Sequence, residues 1–166
     1  MIYGISMGGV LACRIIERKN INVEKLILDS TPLISYSNIM KFFMKKVYLF
    51  MMYLTKKRFA FIIKIAENNI VSKEYIGDFI NVIDHMKEDD IKRYIDEAGN
   101  YRLSQNLSTK IVYYHGTAIN ELLAINSMKY IKKYYKDCKI VCLKGRRHCE
   151  LALLHPYKMI EELNKR

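Results

Sequence analysis

Six residues near the start of the chain, Gly4-Ile5-Ser6-Met7-Gly8-Gly9, place a serine between glycines. A serine becomes a nucleophile when it is held at the tip of a sharp strand-to-helix turn. Its oxygen then projects clear of the backbone, and a helix N-terminus lies under the negative charge that develops during acyl transfer. Small neighbours make such a turn affordable, and Gly4 and Gly8 are expected to supply them because a side chain at either would collide with the adjoining strand or helix. Gly9 extends the clearance. A serine of this kind also needs an imidazole to take its proton and a third group to orient that imidazole. The histidines available are His85, His115, His148 and His155.

The elements that would have to position these groups can be read from the apolar pattern. Residues 1–3 suit only the last residues of a strand, since Ile2 and Tyr3 favour extended structure and Gly4 breaks it. A helix follows, with Val10, Leu11, Ile15 and Ile16 at helical spacing and Arg14, Glu17 and Arg18 around the other face. The run KLILD over 25–29, ended by Ser30-Thr31-Pro32, reads as a buried parallel strand. From 33 to 106 the texture becomes helical and rich in Met, Phe and Tyr, with breaks near Asn68-Asn69, Gly77 and Gly99-Asn100. Strand character returns in KIVYY (110–114), followed by a turn at His115-Gly116-Thr117, a helix over about 121–135, the strand KIVCL (139–143), the loop Gly145-Arg146-Arg147-His148 and a helix from Pro156 onward. Strands alternating with helices predict an α/β protein with an open parallel sheet covered on both faces.

Composition narrows the function classes. A chain of 166 residues that is 51% hydrophobic can bury one sizeable core and is too short for two ordinary domains. The net charge of +11 is spread through every segment without a run of five basic residues or a nucleic-acid-binding signature, so nucleic acid is not expected as a partner. Cys13, Cys138, Cys142 and Cys149 lack the paired spacing of a structural zinc site; no metal is expected. They read as buried or half-buried thiols in a reducing compartment, which points to the cytoplasm. The longest apolar run, 47–54, is far short of the ~20 residues that span a bilayer.

The pentad GISMG with Gly9, the strand end LILDSTP, the turn YYHGT and the segment GRRHCELALLHP together resemble the alpha/beta-hydrolase superfamily, in its esterase, lipase and serine-peptidase branch. The resemblance runs from the nucleophile elbow to the last helix, with the helical stretch matching in position only. It implies the order serine, acid, histidine: Ser6 as nucleophile and His148, in the loop after the last strand, as general base. His85 then reads as a solvated surface residue, His115 as a structural turn position and His155 as a residue that helps start the final helix. The acid departs from the pattern. In relatives reading His-Gly-Thr-x-Asp the aspartate would fall at Ile119, which accepts no hydrogen bond. Glu121, with Asn120 beside it, stands two residues on, and Asp29 at the end of KLILD is the alternative acid, since some relatives place theirs after that strand. The backbone N–H of Met7 would be one oxyanion donor.

The resemblance further implies one alpha/beta-hydrolase domain over 1–166, lacking the four strands and first helix that precede the elbow in the family. Strand 5 remains as a stub, followed by strands 6, 7 and 8. The stretch 33–106 becomes a helical cap or lid insertion between the second and third strands, and its segment KKVYLFMMYLTKKRFAFIIKIA would suit either core packing, acyl-chain binding or contact with an anionic membrane surface. The expected function is a serine hydrolase of esterase or lipase type, forming an acyl-enzyme on a small-molecule ester or amide without any cofactor. The alternative is a non-catalytic remnant or binding module on the same scaffold. The second oxyanion donor of the family comes from the loop after strand 3, which these residues do not include.

Overall fold

The computed structural model describes residues 1–19, 21–105 and 107–164. Four strands form one all-parallel sheet in the order β1-β2-β3-β4 among the described residues: β1 (Ile2–Ile5), β2 (Lys25–Asp29), β3 (Lys110–Gly116) and β4 (Lys139–Leu143). KLILD and KIVCL form strands over the ranges their apolar runs predict. The first strand runs two residues further than expected, because Gly4 and Ile5 stay in register with Leu28 and Asp29 of β2. β3 likewise continues through His115 and Gly116, which face Cys142 and Leu143 of β4, so the expected turn begins only at Thr117.

The helices are α1 (Met7–Lys19), α2 (Asn38–Lys56), α3 (Ala60–Asn69), α4 (Ile76–His85), α5 (Glu88–Gly99), α6 (Leu122–Tyr134), α7 (Glu150–Leu154) and α8 (Pro156–Asn164). They belong to two compact units: residues 1–35 with 98–149, and residues 36–97 with 150–166. The sheet, α1 and α6 make up the first. Its core is one cluster in which Val10, Cys13 and Ile16 of α1 meet Leu26 and Leu28 of β2, Ile111 and Tyr113 of β3, and Ala124 and Ile131 of α6. The stripe on α1 therefore differs from the one expected. Leu11 and Ile15 lie about 100° round the helix from the core-facing row and are half exposed, at 53% and 50%. Tyr113 ties three segments together by donating its hydroxyl to Thr31 O at 2.7 Å, with Ala124 O at 3.2 Å.

The second unit holds α2, α3, α4 and all but the last two residues of α5, together with α7 and α8. Ser37 caps α2 by accepting the Met40 N–H at 3.1 Å. The run that the sequence presents as continuous is cut at Lys57–Phe59, where Arg58 turns with φ 59° and clasps Asp84 of α4 through Nη1 and Nη2, at 2.9 and 2.5 Å. Gly77 is not a break; it lies in the first turn of α4. Residue 106, the expected end of the helical stretch, lies outside the described residues.

Candidate active site

Every sequence-predicted site residue lies in the first unit, at the C-terminal ends of its strands, where ligands bind in open parallel sheets. Ser6 follows β1 directly and has φ 47°, a left-handed conformation that costs a non-glycine residue ~1–2 kcal/mol. Hydrogen bonds on both sides hold it there: Ser6 N–H donates to Asp29 O at 2.8 Å, and Ser6 O accepts the Gly9 N–H at 3.1 Å. The turn is tight because β1 runs against the first turn of α1. A Cβ on Gly4 would stand 2.5 Å from Gly9 Cα, and one on Gly9 would stand 2.0 Å from Thr31 Oγ1. At Gly8 the expectation of a collision is wrong. Nothing lies within 4 Å of a Cβ built there, because that residue faces away from both β1 and Thr31.

His148 comes from the loop after β4. That loop is pinned to the one after β3, since Thr117 and Ala118 donate their N–H groups to Arg146 O at 3.0 and 3.1 Å and Gly145 N–H donates to Thr117 Oγ1 at 2.8 Å. The imidazole Nε2 stands 3.0 Å from Ser6 Oγ, and Nδ1 stands 2.7 Å from Glu121 Oε1. Two partners on opposite ring nitrogens fix the tautomer: Nδ1–H donates to the carboxylate and Nε2 accepts from the serine hydroxyl.

Glu121 ends the short 3-10 turn Ile119–Glu121 and is fully buried. Burial alone would push its carboxyl up. The His148 hydrogen bond, the Gly116 N–H at 2.7 Å and the Ser30 hydroxyl at 2.8 Å outweigh it and hold the group below the usual glutamate range. Asn120 meets the backbone rather than the ring, its Oδ1 accepting the N–H of His148 at 3.4 Å. Asp29 is also buried, but its carboxyl group meets the Tyr3 hydroxyl at 3.0 Å and Ser30 Oγ at 3.2 Å rather than the imidazole. Burial is the main reason its carboxyl is raised, and the nearby Glu121 charge adds to it.

Met7 opens α1, and its N–H belongs to the first turn, whose donors have no acceptor within the helix. That N–H lies next to Ser6 at the positive end of the helix dipole. His115 is 5% exposed within β3, its Nδ1 2.7 Å from Gly116 O. His85 ends α4 at the surface, and His155 O accepts the Met159 N–H at the start of α8. Two neighbours of the site have no role assigned to them by the sequence. Ser30, with φ 49°, links Glu121 to Asp29, and Cys149, with φ 50°, follows His148 and donates its N–H to Ser30 Oγ at 3.4 Å. Their importance comes from partners far along the chain. Among the described residues no group of three or more His, Cys, Asp and Glu side chains is arranged to hold a metal ion.

No protein-family model matches this chain, and no curated protein does. Solved structures do. The esterase EaEST from Exiguobacterium antarcticum superposes with a TM-score of 0.69 at 15% identity, over 98% of this chain and 64% of its own. The bromoperoxidase from Bacillus anthracis gives 0.66 at 18% identity, over 97% and 64%. An alpha/beta hydrolase family protein from Desulfitobacterium hafniense gives 0.64 at 16% identity, over 99% and 67%. The chain thus spans a little under two thirds of the length of the first two structures. Likeness at this level of identity is a likeness of fold.

Proposed function

Proceeding from the partial alpha/beta-hydrolase fold that this likeness shows, we infer that the chain carries the nucleophile, base and acid of a serine hydrolase of esterase type. The observation that supports this reading is the unbroken line Ser6 Oγ, His148 Nε2, His148 Nδ1, Glu121 Oε1, with contacts of 3.0 and 2.7 Å, built on a serine held at φ 47°.

The chemistry follows from the protons. Ser6 Oγ attacks the acyl carbon of an ester or amide while Nε2 of His148 takes its hydrogen. The imidazolium so formed is balanced by the ionised Glu121 through Nδ1–H. The negative charge on the former carbonyl oxygen is met by the Met7 N–H and the dipole of α1. Collapse expels the alcohol or amine, protonated by His148, and leaves an acyl group on Ser6. Water, deprotonated by the same nitrogen, then releases the acid and regenerates the serine. No cofactor takes part in these steps. In this reading the helical stretch between β2 and β3 serves as a cap governing access, and the substrate is a small-molecule ester or amide.

A fluorophosphonate probe tests the reading directly, because it phosphonylates only a serine that its base activates. Labelling of the chain that disappears in Ser6→Ala and falls at least tenfold in His148→Ala is the expected outcome. Absence of labelling, or labelling that survives Ser6→Ala, sinks the reading in favour of a non-catalytic scaffold. The family resemblance assigns one oxyanion donor to these residues, the Met7 N–H, where the fold ordinarily brings a second from a loop before the elbow.

A further inference from the structure

The hydroxyl of Ser30 stands between two buried carboxyl groups. Its Oγ is 2.8 Å from Glu121 Oε2, 3.2 Å from Asp29 Oδ1 and 3.4 Å from the backbone N of Cys149. A hydroxyl has one hydrogen and two acceptor lone pairs. Cys149 N–H points its hydrogen at one lone pair, and the single hydroxyl hydrogen can serve only one carboxyl. The shorter contact assigns it to Glu121, which also needs donors because it faces His148 as an anion. The remaining contact pairs a lone pair of Ser30 with Asp29 Oδ1 at hydrogen-bond distance. Two lone pairs would repel there; a hydrogen on Oδ1 makes the contact attractive. Asp29 Oδ2 is already an acceptor, taking the Tyr3 hydroxyl at 3.0 Å, so the hydrogen belongs on Oδ1.

We propose that Asp29 is a neutral carboxylic acid at neutral pH and acts as a positioning residue, donating to Ser30 Oγ so that Ser30 in turn gives its hydrogen to Glu121 and fixes that carboxylate against His148. The surroundings agree. Asp29 is 1% exposed, and the groups that face it are Tyr3 from β1, Tyr113 from β3, Glu121 from the turn before α6, and His148 and Cys149 after β4. Burial, followed by the negative charge of Glu121, favours the protonated acid, and the hydrogen bond from Tyr3 works against it without prevailing. Two carboxyl groups in one environment, one kept charged and the other neutral, divide the labour between facing the imidazolium and holding the geometry. Were Asp29 ionised, it would compete for the Ser30 hydrogen, and Glu121 Oε2 would be left with the Gly116 N–H at 2.7 Å.

The proposal rests on the reading of Glu121 as the acid of a hydrolase for its mechanistic meaning, yet the location of a proton does not require Ser6 to react. Infrared spectroscopy of the full 166-residue chain in deuterated buffer at pH 7 detects the C=O stretch of a protonated carboxyl group. The expected result is such a band in the unaltered chain, kept in Ser6→Ala and lost in Asp29→Asn. A chain without the band at pH 7, or a band that survives Asp29→Asn, overturns the proposal. Should Asp29→Asn not fold, NMR of the unaltered chain with carbon-13 in its aspartate carboxyls decides. An Asp29 carboxyl still protonated at pH 7 supports the proposal, and an Asp29 carboxyl already ionised there overturns it. Fluorophosphonate labelling of Ser6, measured alongside, reports on the hydrolase reading separately.

Discussion

Glycines that look alike in the sequence carry unequal burdens in the elbow. Replacing Gly9 with alanine drives a methyl group to 2.0 Å from Thr31 Oγ1 inside a packed core, and overpacking of this kind costs ~1–3 kcal/mol. Gly8 has open space in the first turns of α1, and alanine there is expected to stabilise the chain by ~0.5–1 kcal/mol through helix propensity. Urea unfolding of the two variants should shift in opposite directions. Glu121 has a pH signature. Its folded-state carboxyl is held below the ordinary value, so the stability it contributes is present above that value, about 4.3, and is lost as pH falls through the lower folded one. Unfolding free energy measured across this acid window should fall less steeply in Glu121→Gln than in the unaltered chain. Asp29 has the opposite sign. Its raised carboxyl contributes stability at low pH that is lost as pH rises, so Asp29→Asn should flatten a decline on the alkaline side of the ordinary aspartate value.

Among the elements, what could be read in advance depended on whether the signal was local. β2 and β4 are short apolar runs with polar ends, and their limits follow from that composition alone. The extension of β3 through Gly116 could not be read this way, because it is imposed by pairing with β4. The five-residue α7 is too short to show a helical period, and the break at Arg58 has no glycine or proline to announce it; the side chain there pairs with Asp84, 26 positions away. The site shows the same division. Ser6 and its glycines advertise themselves within six residues, whereas the choice between Glu121 and Asp29 as partner of the imidazole rests on a loop of irregular length. The structure brings Glu121 to Nδ1 and gives Asp29 other partners, Tyr3 and Ser30.

At the scale of the sheet, β1 is an edge strand among the described residues, and its four residues carry no charge or proline, two of the devices that protect edges in natural sheets. No helix among the described residues is long and apolar enough to cross a membrane. With Met7 as one oxyanion donor, turnover of a p-nitrophenyl ester by these 166 residues should be low. Supplying a second donor through an added N-terminal segment of the hydrolase fold should raise the Ser6-dependent rate by ~100- to 1000-fold. Fast Ser6-dependent turnover by the short chain would show that a second donor already reaches the site.

The thiols also separate by position. Cys13 and Cys138 are pushed up to about 12 by burial, and burial pushes Cys149 up as well, while Cys142 stands exposed on the edge strand β4 and not half-buried as its place in an apolar run predicts. One equivalent of a maleimide dye at neutral pH should therefore attach at Cys142 and be absent from Cys142→Ser. A fluorophore there would sit on the strand that leads into the His148 loop, so that its anisotropy becomes a readout of whether that strand is docked, available even when no turnover can be seen.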